Sequence, residues 1–310
     1  MSFRTKILAA ATACMVGVGG MIAGPAAAAD VSVETARGAV TVAANPAKVV
    51  VFDLGVLDTL TALDVAVAGV PGSNLPASLE KYKADSYAKV GSLFEPDYEA
   101  INALKPDLII IGGRSAAKYD DLAKIAPVID LTTDPKNFGG SVERNATTLG
   151  QIFGKEAEVK ERIARLQSST AELKAKTASI GKGLVVLTTG GKISAYGPDS
   201  RFGEIHGRFG VAAADPDLKV ATHGQVVSYE YILEKNPDWL FVIDRDAAIG
   251  QKNGQSAQQL LDNALVHNTN AWKNNHVVYL DPVKMYLTSA GLATEQGIVD
   301  EIAAAIEPKS

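Results

Sequence analysis

One local pattern occurs twice in this chain of 310 residues. Residues 98–114 and 229–245 align without a gap, and the aligned positions share Tyr, Glu, Ile, Pro, Asp and Arg. Each copy has the spacing of a short helix, followed by a Pro-Asp turn and a run of large apolar residues that ends at or shortly before the shared Arg. Such a run, without polar alternation, is typical of a parallel strand buried on both faces of a sheet. The duplication therefore predicts two similar α/β units.

The rest of the sequence continues this alternation of strands and helices. Short apolar runs that favour buried strands occur along both halves of the chain, at residues 48–53, 65–70, 128–131, 184–187, 193–196 and 277–280. Because parallel strands need crossover connections, which are usually helical, this order indicates βαβ units. We expect an α/β fold with two lobes, each built on a mostly parallel sheet, and a ligand cleft between them.

The segment between the two halves has a different composition. Residues 142–179 contain no Pro, are rich in Glu, Lys, Arg, Ala, Leu and Gln, and carry apolar residues at helical spacing. One long, rigid helix is the simplest interpretation. We therefore predict an N-terminal lobe at 30–141, a connecting helix at 142–181 and a C-terminal lobe at 182–310.

The N-terminus has the order of a secretory signal peptide over residues 1–29. Arg4 and Lys6 precede a long apolar run, and small residues lead up to Ala29. We expect cleavage after Ala29 and a periplasmic location. Cleavage would remove two of the 30 basic residues and none of the 35 acidic ones, so that the formal charge falls from −5 to −7. An uncleaved membrane anchor and lipid attachment at Cys14 are the alternatives.

Charge and cysteine content exclude several classes of protein. The chain has no basic surplus of the kind that binds nucleic acid, and its single Cys excludes a disulfide framework or a cysteine-rich zinc module. Its four His residues are scattered and form no His-rich loop, which argues against a carrier of free zinc or manganese. We expect no intrinsic cofactor and a monomer.

Motifs of the common enzyme classes are also missing from the sequence. Residues 188–192 superficially resemble a phosphate-binding loop, but Val186 stands at the first Gly position and Ile193 follows the Lys. There is no G-x-S-x-G elbow, and Asp53 near a strand end is interpreted as an ordinary loop residue. We therefore predict that the protein is not an enzyme.

The first candidate site residues are the two arginines of the duplicated pattern. Arg114 and Arg245 each follow the carboxyl end of a predicted strand, where ligands of open α/β sheets bind. The alternative for either residue is a surface Arg paired with a local carboxylate.

Four longer segments carry a family resemblance over essentially the whole mature chain. They are GSLFEPDYEAINALKPDLIIIGGR at 91–114, SAYGPDSRFGEIH at 194–206, THGQVVSYEYILEKNPDWLFVIDR at 222–245 and YLDPVKMYL at 279–287. With these segments the chain resembles the periplasmic binding proteins of iron-siderophore and cobalamin ABC importers. The last three segments resemble most closely the binding proteins for ferric catecholate siderophores of the petrobactin and enterobactin-fragment type.

This resemblance implies a ligand and a set of site residues. Arg114, Arg201 and Arg245 match the cleft arginines of the catecholate binders, and His223 and Tyr286 match the residues that complete iron coordination when a siderophore is tetradentate. Ferric catecholates are anionic, which suits permanently charged, multi-donor Arg side chains. Ferric iron accepts phenolate and imidazole ligands, and the metal lowers the pKa of a coordinated tyrosine. Tyr279 is an alternative to Tyr286, although its apolar surroundings favour the core.

The resemblance also implies a partner in the membrane. Glu99 and Glu230 each begin a helix of the duplicated pattern, and in this family such a pair meets arginines of the inner-membrane ABC permease. The alternative is a Glu that only stabilises its helix N-terminus, by about 0.3–1 kcal/mol.

The function expected from these arguments is capture of an anionic ferric catecholate siderophore, as transported ligand, and its delivery to an ABC importer of the siderophore type. The alternative is another iron chelate, such as a citrate-based or mixed-donor siderophore or haem. The three matched arginines argue against neutral hydroxamates and cobalamin. The remaining histidines, His206, His267 and His276, are expected in helix, surface or loop positions.

Overall fold

The computed structural model describes residues 29–218, 223–251 and 254–307. The predicted hydrophobic run of the signal peptide and Cys14 lie outside these ranges. None of the helices within them combines the length and the apolar character needed to cross a membrane.

The N-terminal lobe consists of a hairpin and a five-stranded parallel sheet. The hairpin pairs β1 (Asp30–Thr35) with β2 (Gly38–Ala43) in antiparallel register. The sheet has the order β5-β4-β3-β6-β7. Its strands are β3 (Val49–Val51), β4 (Gly69–Val70), β5 (Ala88–Lys89), β6 (Leu108–Ile111) and β7 (Val128–Asp130). The helices of this lobe are α1 (Leu54–Ala62), α2 (Tyr98–Leu104) and α3 (Tyr119–Leu122), with short 3-10 helices at Ala77–Lys83, Ala116–Lys118 and Pro135–Asn137.

The C-terminal lobe is built on a mixed six-stranded sheet. Its strands follow the order β11-β9-β8-β12-β13, and β10 pairs with the start of β8. They are β8 (Lys182–Thr189), β9 (Lys192–Tyr196), β10 (Ala212–Ala213), β11 (Gln225–Val227), β12 (Trp239–Asp244) and β13 (Val277–Tyr279). Strands β8, β12 and β13 run parallel, whereas β9 is antiparallel to both of its neighbours.

Short helices cover this second sheet, and a longer one ends the fold. They are α6 (Glu204–Gly207), α7 (Tyr229–Lys235), α8 (Arg245–Ala248), α9 (Ala257–Leu261), α10 (Ala264–His267), α11 (Asn270–Lys273), α12 (Pro282–Tyr286) and α13 (Leu292–Ala305).

The connection between the lobes differs from the prediction. The single helix expected over 142–181 is wrong, because the segment forms two helices, α4 (Phe138–Phe153) and α5 (Glu156–Thr177). Gly154 separates them with φ at +63°, and its amide donates a hydrogen bond to the carbonyl of Gly150. A left-handed glycine of this kind is a common way for a helix to end. The connection is therefore a helix pair.

The two copies of the duplicated pattern fold in the same way. Asp97 caps α2 and Ser228 caps α7, each by accepting a hydrogen bond from a backbone amide of its helix. After the Pro-Asp turn, Asp107 accepts the amide of Lys48 at 2.8 Å and Asp238 accepts the amide of Lys182 at 2.9 Å. In each lobe this bond ties the turn to the residue at the start of the central strand. The shared Pro-Asp sequence thus sets the position of β6 and β12.

The last helix returns to the N-terminal lobe. The amide of Leu292 donates to Oγ1 of Thr59 at 2.9 Å, and the amide of Thr294 donates to Asp58 at 3.0 Å. The preceding loop passes so close to α1 that a Cβ on Gly55 would lie 2.6 Å from the carbonyl oxygen of Ser289. This contact holds the end of α12 and the following loop between the lobes.

Candidate functional site

A cavity of about 710 Å³ lies between the two lobes. All five residues that the sequence analysis assigned to ligand binding line its wall: Arg114, Arg201, Arg245, His223 and Tyr286. Within the described ranges, no three His, Cys, Asp or Glu residues are grouped so that they could hold a metal ion. The cavity thus combines cationic and aromatic side chains with the volume of a small-molecule site.

The elements explain how these side chains meet. Arg114 follows β6 in the N-terminal lobe, and Arg245 follows β12 in the other lobe, so both stand beyond the carboxyl ends of buried strands. Arg201 lies in the loop between β9 and α6, and His223 precedes β11. Tyr286 is the last residue of α12. The contacts of α13 and the preceding loop with α1 keep this end of α12 between the lobes.

Three arginines converge on Tyr286. One guanidinium nitrogen of Arg114 donates to the Tyr286 carbonyl at 2.6 Å, and one of Arg201 donates to the same carbonyl at 2.7 Å. Nε of Arg245 donates to the Tyr286 hydroxyl at 2.9 Å. The guanidinium carbons lie 4.4 to 5.6 Å from the centre of the tyrosine ring. One residue therefore joins the charges of both lobes.

These charges change the acidity of the groups they surround. Burial raises the pKa of Tyr286, but the hydrogen bond from Arg245 and the charges of Arg245, Arg201 and Arg114 outweigh it, so the pKa is below its usual value. Burial and the charge of Arg114 lower the pKa of Arg201. The site concentrates positive charge and favours an anion, including the phenolate form of its own tyrosine.

The turn between β8 and β9 helps to position Arg245. Its Nη1 donates to Oγ1 of Thr189 at 3.2 Å and lies 3.6 Å from the buried Asp246 carboxylate. The same carboxylate accepts hydrogen bonds from Oγ1 of Thr189 at 2.9 Å and from the amide of Gly190 at 2.6 Å. The glycines that superficially resembled a phosphate-binding loop belong to this turn, which positions Arg245.

Other residues considered at the sequence level lie away from the cavity. Glu99 and Glu230 are exposed in the first turns of α2 and α7. Tyr279 packs against the core of the C-terminal lobe, where burial raises its pKa. His206 is buried in α6 with Nδ1 at 3.0 Å from the carbonyl of Val211, and His276 stacks on an indole ring. His267 lies at the end of α10 and stacks on Trp272.

The cavity also contains residues that the sequence analysis did not assign to it. Asp53 caps α1, with Oδ1 accepting the amides of Gly55 and Val56, and it also faces the cavity. Its place after β3 follows the same strand-end rule as the arginines, so the signal was present. Phe94 lines the cavity from a turn of the N-terminal lobe. No sequence pattern marked it, because its position depends on how that turn packs.

Comparison with known proteins identifies the family. A family model described as periplasmic binding protein matches residues 49–283, which is most of the chain. This chain belongs to the periplasmic binding protein family. The membership confirms the resemblance found in the sequence motifs and the prediction of a binding protein rather than an enzyme.

Two relatives show how close the match is. The binding protein is 48% identical to petrobactin-binding protein YclQ of Bacillus subtilis over 266 residues, which cover 85% of this chain and 83% of YclQ. The crystal structure of YclQ has a TM-score of 0.86 to this structure, with coverage of 91% and 100% of the two chains. The periplasmic catecholate-siderophore binding protein VctP of Vibrio cholerae has a TM-score of 0.85 at 33% identity, with coverage of 89% and 100%. These matches confirm the α/β fold with two lobes.

Proposed function

We propose that this binding protein captures an anionic ferric catecholate siderophore outside the cytoplasm and delivers it to an ABC importer. The names of three relatives support the class of ligand: YclQ is named for petrobactin, VctP for a catecholate siderophore and FatB of Vibrio anguillarum for ferric anguibactin. The protein itself would be a carrier, with the iron arriving already chelated as cargo.

The convergence of three arginines on Tyr286 carries the proposal. A ferric tris-catecholate bears three negative charges, and transfer of such an ion from water into a half-buried cleft needs fixed opposite charge. Arg114, Arg201 and Arg245 provide it from both lobes, with planar donors that suit catecholate oxygens. A neutral chelate would bring no negative charge to balance them.

A titration of the purified protein tests this function. Ferric catecholates should quench its intrinsic fluorescence with micromolar or tighter affinity, whereas a neutral ferric hydroxamate should bind far more weakly. Arg201→Met should weaken catecholate binding about tenfold or more, because a charge-assisted hydrogen bond contributes about 1.5–3 kcal/mol. Arg165→Met, at an exposed position on α5, is the matched control and should bind normally. Absence of binding across a catecholate panel would refute the proposal.

Tyr286 and His223 are proposed as iron ligands when the siderophore offers only four donor atoms. Both side chains line the cavity, and the surrounding arginines favour the tyrosinate form. With a tetradentate ferric catecholate, Tyr286→Phe should diminish the tyrosinate-to-iron absorption band, and with a hexadentate complex it should have little effect. An unchanged spectrum with the tetradentate complex would assign the phenolate elsewhere.

Glu99 and Glu230 are proposed as the permease-docking pair. They occupy the same position in the matched helices of the two lobes, and both are exposed and do not line the cavity. The double variant Glu99→Arg, Glu230→Arg should lose transport in vesicles that contain the cognate importer while its siderophore affinity stays the same. Glu161→Arg on the exposed face of α5 is the control for added charge. Normal transport by the double variant would remove this assignment.

The processing of the chain belongs to the same proposal. Export with cleavage after Ala29 yields a protein that begins at Asp30, the first residue of β1. The intact mass of the exported protein tests this, since an uncleaved chain or a lipid on Cys14 would each add a defined mass. We further propose that the mature protein is a monomer, which light scattering in solution would verify.

A further inference from the structure

Phe94 is an exposed aromatic residue on the wall of the cavity. Its side chain is 54% exposed. Among the large apolar side chains that the structure describes, only Tyr98 and Val226 are also exposed, and neither of them lines the cavity. Phe94 thus differs from the other exposed apolar residues in facing the ligand space.

The backbone around Phe94 is a tight and well-bonded turn. Oγ of Ser92 accepts the amides of Phe94 at 3.2 Å and of Glu95 at 3.0 Å, and the amide of Ser92 donates to the carbonyl of Glu95 at 2.9 Å. Gly91 and Pro96 close the base of the turn as an antiparallel bridge. The position of Phe94 at the tip is therefore fixed by local bonds.

Side-chain contacts hold the turn against the lobe. Leu93, next to Phe94, is only 1% exposed and belongs to the core of the N-terminal lobe. On the other side, the carboxylate of Glu95 pairs with Nζ of Lys118 at 2.7 Å. These contacts favour the observed position of the turn, with Phe94 at its tip.

An aromatic ring held in water beside a ligand cavity gains free energy only when something covers it. Removal of apolar area from water is favourable, and two aromatic rings gain further from stacked or edge-to-face contact. The three arginines near Tyr286 bind negative charge, which aryl chelates and aliphatic carboxylate chelates both carry.

We propose that Phe94 packs against an aryl ring of the bound ferric complex and selects aryl-bearing chelates over aliphatic carboxylate chelates such as citrate. The inference rests on the proposed function, since it names the part of the ligand that one wall of the same cavity recognises. The arginines bind the anionic iron centre, and Phe94 contacts the aryl ring that carries the donor oxygens.

The test compares two probes with three variants. Affinities are measured for ferric 2,3-dihydroxybenzoate and for ferric citrate with wild type, Phe94→Ala, Phe94→Leu and Phe94→Tyr. Phe94→Ala should weaken binding of the aryl complex about tenfold, the size of an aromatic contact, and should change binding of ferric citrate less than about twofold. Phe94→Tyr should retain the aryl preference, and Phe94→Leu should lose most of it.

Two controls keep the result interpretable. Tyr98→Ala removes an exposed ring outside the cavity lining and should leave both affinities unchanged. The thermal unfolding midpoint of Phe94→Ala should match wild type, because the side chain is exposed.

The outcomes separate this inference from the proposed function. If wild type fails to bind the aryl complex, the proposed function fails. If wild type binds it and Phe94→Ala binds it equally well, or loses equal affinity for ferric citrate, only the role of Phe94 is overturned.

Discussion

Tyr286 uses its main chain and its side chain for different arginines. The carbonyl accepts hydrogen bonds from Arg114 and Arg201, and the hydroxyl accepts one from Arg245. Removal of the hydroxyl alone therefore keeps both hydrogen bonds to the carbonyl and removes only the one from Arg245. This division of roles makes Tyr286→Phe a cleaner probe than any substitution of an arginine.

Tyr286 should ionise at a lower pH than is usual for a tyrosine. Its pKa lies below the usual value near 10 because the hydrogen bond from Arg245 and the three guanidinium charges favour the phenolate. An ultraviolet titration of the iron-free protein should show one tyrosinate forming below the main transition, and this early phase should be missing in Tyr286→Phe. Since the folded chain releases this proton first, the free energy of unfolding should rise with pH between the lowered pKa and the unfolded value. An early phase that persists in Tyr286→Phe would assign it to another residue.

The sequence identified these site residues by two different routes. Arg114 and Arg245 follow from physical reasoning, because the duplicated pattern puts both at strand ends. Arg201, His223 and Tyr286 came only from the family resemblance, since loops position the first two and the end of α12 positions Tyr286. Asp53 was missed although it follows a strand in the same way as the arginines, and Phe94 was missed because its facing the cavity depends on the packed chain.

At the scale of elements, the helix pair α4 and α5 shows what periodicity cannot reveal. Apolar residues keep helical spacing on both sides of Gly154, and an isolated Gly is tolerated within a helix, so the pattern alone predicts continuity. In the structure, α4 instead ends at Gly154, whose backbone adopts the left-handed conformation. The matched helices α2 and α7 were predictable because local residues mark both of their ends: a capping residue precedes each helix, and a Pro-Asp turn follows it.

Gly154→Ala should therefore destabilise the protein by about 1 kcal/mol, because a Cβ is unfavourable at positive φ. Steric crowding does not add to the cost, since the only heavy atom within 4 Å of the added Cβ would be Oδ1 of Asn45, at 3.9 Å. Gly207→Ala is the matched control, an open helical position where the same change should be neutral or stabilising by up to about 1 kcal/mol. Chemical denaturation measures both, and equal effects of the two substitutions would contradict the role of Gly154.

At the scale of the whole molecule, a buried charge cluster links α13 to the rest of the C-terminal lobe. Arg208 lies 2.6 Å from Glu295 and 3.3 Å from Glu204, and the three side chains are 14%, 0% and 3% exposed. Glu295 also accepts the amide of Ala290, a cavity residue, at 3.2 Å. One guanidinium thus serves two buried carboxylates and borders the loop that carries the site. The two lobes followed from the sequence, but this tertiary link did not, because its members are distant in the chain.

Arg208→Met should destabilise the fold by about 3–5 kcal/mol, because it leaves the fully buried carboxylate of Glu295 without its cation. Exchange with Met keeps most of the side-chain volume, so the loss reports charge rather than packing. Urea denaturation measures the change. A loss below about 1 kcal/mol, the range typical of a surface ion pair, would show that the cluster is not buried as described.

Glu204 should make stability depend on pH. Burial and the nearby charge of Glu295 raise the pKa of Glu204 well above its ordinary value, so the folded chain keeps a proton that the unfolded chain has already lost. The free energy of unfolding should therefore fall as pH rises from about 4.5, the unfolded value, through the raised pKa. Glu204→Gln, which stays neutral, should flatten this slope and be more stable than wild type at neutral pH. Glu161→Gln on the surface of α5 should keep the wild-type slope, and an unaltered slope in Glu204→Gln would contradict the assignment.

The most direct measurement of the central claim is the position of iron in the protein. Crystals grown with a ferric catecholate and measured at the iron absorption edge should show one anomalous peak within the cavity, among the guanidinium groups of Arg114, Arg201 and Arg245 and facing Tyr286. A bound complex whose iron lies outside this cavity, or a cavity that stays empty while the complex binds elsewhere, would contradict the account.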